Sequence, residues 1–282
     1  MKNINWSELG FGYFKTDYNV RCEYKDGKWG ELYATEDVNM NIHMASTCLH
    51  YGQEVFEGLK AFRGADGKVR LFRVEENAKR MINSGEYLKM AVPSVELFTK
   101  ACIEAVKLNA DYIPPYGSGA SLYLRPMLIG VGPQVGVKPS ADYLFAVFVT
   151  PVGPYYKDGF NCIKVIIDYD HDRAAPKGTG HVKVGGNYAA SLDSGEIAHQ
   201  KGFASVIFLD PATKQYIDEC SAANFFGIRD GKYITPDSHS VLPSITNKSL
   251  RQIAEDLGLK VEQRKVGVEE LPTFSEAGCC GT

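Results

Sequence analysis

The sequence predicts a mixed α/β protein of the α+β kind, divided into two domains. Three observations carry this. The chain has 282 residues, 44% of them apolar, enough for more than one core at ordinary domain sizes. Stretches with strand character outnumber those with the 3.6-residue period of a helix. Strands and helices also follow one another in mixed order, without the strict alternation of a purely parallel sheet.

Taken in order, residues 1 to about 75 read as strand-rich. After the turn dipeptide Asp66-Gly67, Val69 and Leu71 alternate with Arg70, which predicts a hairpin. Residues 74–88 read as a helix with Ala78, Met81 and Ile82 on one face. A second helix starts near Ser94, an N-cap candidate after Pro93, and sets Val95, Phe98, Cys102, Ala105 and Val106 on one side. Residues 122–127 and 144–149 read as strands. Pro126 has no N–H to donate, so the first of these is expected to end there or to run along an edge. The Gly-rich stretch 130–137 breaks regular structure. Pro151 and Pro154 mark a boundary, giving domains 1–152 and 153–282. In the second half, residues 162–167 read as a strand and are followed by a loop rich in glycine and charge. Residues 188–201 read as one helix closed by Gly202. Residues 206–209 form a strand, and 224–235 a hairpin turning at Arg229-Asp-Gly231. Residues 246–257 are helical, with Leu250, Ile253, Ala254 and Leu257 on one face and Gly258 after the end. Another strand begins at Leu259.

Composition excludes several classes of function. With 31 basic and 34 acidic side chains and a net charge of −3, the chain has no polybasic character for nucleic acid. Low-complexity disorder and collagen are excluded too. The longest apolar run, 143–149, falls far short of the ~20 residues of a spanning helix, and the first residues lack the apolar core of a signal peptide. No membrane or nucleic-acid partner is expected. The seven cysteines include no CxxC pair, and adjacent Cys279 and Cys280 are badly placed to share a disulfide or metal. Reduced thiols in the cytoplasm are the expectation. HExxH, GxSxG, Walker and GxGxxG patterns are absent and the histidines are dispersed, so no metal is expected.

The informative stretch is Lys177-Gly-Thr-Gly-His-Val-Lys-Val-Gly-Gly-Asn-Tyr188. Its glycines let the backbone approach a bulky group. A partly desolvated Lys183 would lose its proton readily and act as a nucleophile. Glu219, followed by small residues, could face a ring nitrogen. Ser244-Ile-Thr246 opens a helix, whose N–H groups and a hydroxyl suit a phosphate. Arg80 could clamp the same phosphate. Each has an ordinary reading as well: a solvated loop lysine, a hairpin-edge carboxylate, a plain N-cap, a solvated helix charge. Only as a set do lysine, carboxylate and phosphate cup describe a pyridoxal phosphate site.

The set is matched by a resemblance. The stretch His50-Tyr-Gly-Gln-Glu-Val-Phe-Glu-Gly-Leu-Lys-Ala-Phe-Arg63 resembles the early motif of the branched-chain amino acid aminotransferases. So do Arg70-Leu-Phe-Arg73 with Arg80, Leu122-Tyr-Leu-Arg-Pro126, Lys183-Val-Gly-Gly-Asn-Tyr188, Asp218-Glu219 with Asn224-Phe225, and Leu242-Pro-Ser-Ile-Thr246. The resemblance implies fold type IV of the pyridoxal phosphate enzymes: a small N-terminal α/β domain, a larger second domain, the cofactor between them, and a homodimer. It implies that Lys183 is the Schiff-base lysine and proton carrier, that Glu219 is the partner of the pyridine nitrogen, and that Tyr188 stands beside the ring hydroxyl. By the same resemblance Arg80, Ile245, Thr246 and Thr282 bind the phosphate. Phe56, Tyr123 and Tyr155 wall an apolar side-chain pocket, Tyr51 and Val137 match residues that a dimer partner contributes to the site, and Arg125 recognises a distal carboxylate. Ala222 departs from relatives that carry a hydroxyl residue there.

The implied reaction is reversible transamination of L-leucine, L-isoleucine and L-valine with 2-oxoglutarate, giving branched 2-oxo acids and L-glutamate. The alternatives are a D-amino acid aminotransferase or an aminodeoxychorismate lyase of the same fold, or a cofactor-free scaffold. Because family members continue past the Gly281-Thr282 motif, the resemblance also implies a second domain cut short at Thr282, with a frayed terminus and weakened cofactor retention.

Overall fold

A computed structural model describes residues 2–155 and 161–282. The chain forms two compact units, Met1–Asn161 and Cys162–Thr282. The expected boundary after residue 152 falls at the end of the last strand of the first unit, and that unit runs on to Asn161.

The first unit holds an eight-stranded sheet made of β1 (Asn19–Lys25), β2 (Lys28–Trp29), β3 (Tyr33–Thr35), β4 (Glu54–Phe56), β5 (Leu59–Arg63), β6 (Val69–Leu71), β7 (Ser121–Gly130) and β8 (Tyr143–Val152). Its order is β2-β1-β8-β7-β5-β6, with β3 on β1 and β4 on β7. The short α1 (Thr47–His50) precedes β4, while α2 (Val74–Tyr87) and α3 (Val95–Leu108) supply the apolar cover. Ala78 and Met81 of α2 and Phe98, Ala101, Cys102 and Ala105 of α3 are fully buried, on the faces the periodicity predicts. Phe98 stacks on Phe145 of β8 at 5.8 Å. Ser94 caps α3 by accepting the Leu97 N–H at 3.1 Å. The Asp66-Gly67 hairpin joins β5 to β6, with Gly67 at φ +74°.

Pro126 does not end β7 and does not lie at an edge. It pairs with Val147 of β8, and β4 and β5 lie on the other side of β7. The proline is tolerated because β5 pairs with residues 122–124 and β4 with 127–129, leaving a joint opposite Arg125 and Pro126. There the Pro126 carbonyl accepts the Glu57 N–H at 2.8 Å. The missing N–H of Pro126 faces the same joint, where no ladder bond is lost.

The second unit is a seven-stranded mixed sheet of β9 (Val165–Asp168), β10 (Ser205–Leu209), β11 (Ile217–Cys220), β12 (Ala223–Arg229), β13 (Lys232–Pro236), β14 (Lys260–Arg264) and β15 (Glu276–Cys280). The order is β14-β13-β12-β11-β10-β9, with β15 on β12; the outer pairs β9–β10 and β13–β14 are parallel. Every residue of β10 is buried. Ile207 and Leu209 enter one core with Ile217, Phe225, Ile234 and Val266, whereas Val206 and Phe208 pack with Ala198. A strand covered on both faces reads as a continuous apolar run. The hairpin β12–β13 turns through Asp230 and Gly231 at φ +51° and +68°, the twist-compatible type.

The helix expected over 188–201 is two: α4 (Gly185–Ala189) and α5 (Leu192–Gln200). The Ser191 N–H and Oγ both bond the Tyr188 carbonyl, at 3.1 and 2.8 Å. A side chain competing with the ladder in this way ends one helix and lets another begin. The last helix, α6 (Ile245–Asp256), is capped by Ser244, whose Oγ accepts the Asn247 N–H at 3.1 Å.

Candidate active site

In the second unit, Lys183 lies immediately before α4 and does not sit in a loose loop. Asn187, buried in α4, donates to the carbonyls of Thr179 at 2.7 Å and Val182 at 3.0 Å, and accepts the Thr179 hydroxyl at 2.6 Å. Val182 and Val184 are 1% and 3% exposed, so the lysine backbone is fixed on both sides. Lys183 Nζ donates to Tyr188 Oη at 2.5 Å and lies 4.9 Å from the ring centre.

Glu219 is on β11, buried, rather than at a wet hairpin edge. Its Oε1 accepts the Leu242 N–H at 2.5 Å and Asn224 Nδ2 at 3.3 Å; its Oε2 faces Arg173 Nε at 3.3 Å. Burial pushes the Glu219 carboxyl up to about 7; Arg173, the Leu242 N–H and Lys183 pull against that rise, and Asp218 adds to it. Neighbouring Asp218 accepts the Ser238 hydroxyl at 2.7 Å, and burial raises its carboxyl as well. The β11–β12 register sets Asn224 opposite Glu219. Asn224 Oδ1 accepts Asn247 Nδ2 at 3.0 Å, and Asn247 Oδ1 accepts the Tyr233 hydroxyl at 2.9 Å. This chain of amides ties the carboxylate to the first turn of α6.

At that turn the N–H groups of Ile245 and Thr246 have no intrahelical acceptor, and the helix dipole favours an anion. The Ser244 hydroxyl oxygen is engaged in capping. Strand β15 pairs along β12, so Asn224 lies opposite Cys280; Gly281 follows within reach of the Ala222 carbonyl, bringing Thr282 to the same end of the sheet. An amine, a phenol, a buried carboxylate titrating near neutrality and an open helix start make up a donor set that fits a phosphorylated pyridine aldehyde. Among the described residues no group of three or more His, Cys, Asp or Glu could hold a metal ion.

The first unit holds the other predicted residues. Tyr123 and Arg125 share a face of β7. Arg125 donates to Tyr123 Oη at 3.1 and 3.3 Å, and its guanidinium lies 4.8 Å from the Phe56 ring centre. A Cβ on Gly58 would lie 2.2 Å from Tyr123 Oη, which explains the glycine after Phe56-Glu57. Tyr155 joins through Phe11, whose ring packs edge-on to Tyr123 at 5.2 Å and Tyr155 at 5.3 Å. Tyr51 Oη donates to the Val135 carbonyl, and Val137, two residues further along the chain, is 86% exposed. Arg80 is not a solvated helix charge. Its Nε and Nη2 donate to Glu57 Oε1 and Oε2, both at 2.7 Å, and Glu57 is fully buried.

Two residues escaped the sequence reading. Arg173 lies in what reads as a merely charged loop; its setting among Ala174, Ala175 and Pro176 just before the Gly-rich stretch was the available signal. Phe11, between Gly10 and Gly12, carries no motif.

The class IV amino-transferase family model matches residues 54–282. The branched-chain-amino-acid aminotransferase of Haemophilus influenzae is 52% identical over 289 residues, spanning 100% of this chain and 84% of that one. Among solved structures, the Escherichia coli branched-chain amino acid aminotransferase matches with a TM-score of 0.77 at 28% identity, over 95% of this chain and 84% of that one. A branched-chain amino acid aminotransferase from T.th., solved with pyridoxamine 5′-phosphate, matches with a TM-score of 0.75 at 27% identity, over 93% of this chain and 82% of that one.

Proposed function

The chain belongs to the class IV aminotransferase family, among the branched-chain-amino-acid aminotransferases, and on that footing we propose that it catalyses reversible transamination of L-leucine, L-isoleucine and L-valine with 2-oxoglutarate, using pyridoxal 5′-phosphate. The observation that carries the reading is the pairing, within one unit, of a Lys183–Tyr188 amine–phenol contact with a buried Glu219. The chemistry that bound pyridoxal 5′-phosphate supplies is an electron sink for the pair left when a Cα–H bond breaks.

The chain's own residues do the rest. Lys183 would hold the cofactor through Nζ and, once freed, take the proton from the substrate's Cα and carry it to the next transfer. Tyr188 keeps Nζ aimed. Glu219 holds a proton on the pyridine nitrogen. The N–H groups of Ile245 and Thr246, with Thr282 and Arg80, are assigned to the phosphate. Phe56, Tyr123 and Tyr155 are assigned to the aliphatic side chain. Arg125, caged against Phe56 and Tyr123, would meet the distal carboxylate of 2-oxoglutarate or glutamate, so that one pocket serves an apolar and an acidic substrate.

Leucine, isoleucine or valine with 2-oxoglutarate should yield glutamate, and D-alanine should not. Lys183→Ala should abolish both turnover and the cofactor's visible absorbance; a fully active variant would overturn the assignment. The proposal includes a homodimer and cytoplasmic residence. The exposed apolar side chains of Met44, Leu49, Val135 and Val137 support an interface, checked by analytical ultracentrifugation. Seven unpaired cysteines support a reducing compartment, and no helix among the described residues is long and apolar enough to cross a membrane.

A further inference from the structure

Arg173 has no part in the roles assigned above, yet it is 9% exposed, a rare place for a guanidinium unless it is paired. It touches three segments. Nε lies 3.3 Å from Glu219 Oε2. Nη2 donates to the Gly180 carbonyl at 3.1 Å and to the Ser240 carbonyl. Gly180 stands three residues before Lys183, and Ser240 two residues before Leu242, whose N–H bonds the other oxygen of Glu219. The two loops meet closely here: a Cβ on Gly180 would lie 2.4 Å from the Ser240 carbonyl oxygen. One side chain therefore ties the lysine-bearing loop to the carboxylate and to the loop that grips the carboxylate's far oxygen.

The charges around Glu219 give this geometry a purpose. Arg173 and Lys183 favour its ionised form and Asp218 opposes it, while the Cys220 and Cys280 thiols lie nearby. Lys183 has to pass through its neutral state if it is to accept a proton, so it is not a constant counter-charge. A guanidinium stays protonated throughout. Nε is also buried without an aligned hydrogen bond. It acts on Oε2 as an ion-pair partner and leaves the lone pairs of that oxygen to a further donor.

We propose that Arg173 is a positioning residue for the transamination: a permanent cation that biases Glu219 toward its ionised form and keeps it aimed while Lys183 changes its charge. This rests on the function proposed above and adds to it the group that sets the state of Glu219.

The test uses the full chain, parent and Arg173→Gln and Arg173→Lys variants, with ¹³C at the glutamate carboxyls and Glu219→Gln to assign the signal. Titrations are run with and without pyridoxal 5′-phosphate, beside kcat and KM against pH. In Arg173→Gln the Glu219 titration should move upward by at least about one pH unit. The acid limb of kcat should move with it, which lowers turnover at pH 7 about fivefold or more and leaves KM for the amino donor nearly unchanged. Arg173→Lys should fall between parent and glutamine variant. An unmoved Glu219 titration in folded Arg173→Gln overturns the proposal. If that variant does not fold, Arg173→Met, which also removes the charge, is titrated in its place, and an unmoved Glu219 signal there overturns the proposal. A parent that shows no transamination would refute the functional reading instead, and the carboxyl titrations would still report on Arg173.

Discussion

Each unit buries an arginine against a glutamate, and the two pairs are built differently. In the first, Arg80 reaches both oxygens of Glu57 at 2.7 Å, Asn77 Nδ2 adds a bond to Oε2 at 2.7 Å, and the Gly58 N–H approaches it at 3.3 Å. That carboxylate is saturated, and it joins α2 to the joint between β4 and β5. In the second, Arg173 meets Glu219 in one ion pair at 3.3 Å, and the other oxygen takes two neutral donors. Burial is incompletely offset, so Glu219 titrates at about 7. A saturated pair serves as a clamp, here fixing the arginine assigned to the phosphate. An undersupplied one keeps its charge adjustable, a condition typical of a chemical site.

The contrast can be broken at several points. The largest effect on stability should come from Glu57→Gln, which leaves Arg80 buried without its counter-charge and turns an amide N–H₂ toward other donors. A loss of roughly 3–5 kcal/mol is expected, read from the denaturant midpoint. Glu219→Gln removes a carboxylate whose burial is costly, so stability should change by less than about 1 kcal/mol while transamination falls by orders of magnitude. If the two glutamine variants were equally destabilised, the distinction between clamp and site would collapse.

The pH dependence sharpens the same contrast. The folded Glu219 value of about 7 lies above its ordinary 4.5, so between these values the folded chain binds more protons than the unfolded one. The contribution of Glu219 is full in acid and is lost as pH rises from about 4.5 to about 7. Glu219→Gln should flatten that limb of the stability–pH curve. The smallest effect belongs to Glu270, on which Arg264 closes at 2.8 Å on each oxygen. Arg264 lowers its carboxyl to about 2. Its contribution is present above about 4.5 and lost as pH falls toward 2. Because the pair is partly exposed, Glu270→Gln should cost under about 1 kcal/mol, seen as a small shift of the acid-unfolding midpoint.

Much of the fold was legible in the residues. The caps at Ser94 and Ser244, the turns at Asp66-Gly67 and Asp230-Gly231 and the buried faces of α2 and α3 follow from interactions within a few residues of one another. Lys183 and Glu219 stood out because their neighbours are small or glycine, and Tyr188 through the family resemblance alone. Pro126 misled, since whether a proline costs a ladder bond depends on what lies across the sheet; here a joint between β4 and β5, far earlier in the chain, meets it. The helix over 188–201 broke where Ser191 turned its hydroxyl back on Tyr188.

Local chemistry in the chain thus settles where helices start and where hairpins turn and marks candidate side chains for the reaction, because propensity, capping and period act over a turn or two. Charge states and pair identities are settled at longer range. That Arg80 clamps Glu57, that Arg173 reaches Glu219 and two loop carbonyls, and that Glu219 is buried enough to titrate at about 7 all depend on segments distant in sequence meeting in a core. Burial and Coulomb energy are properties of that meeting, and no stretch of sequence holds them alone.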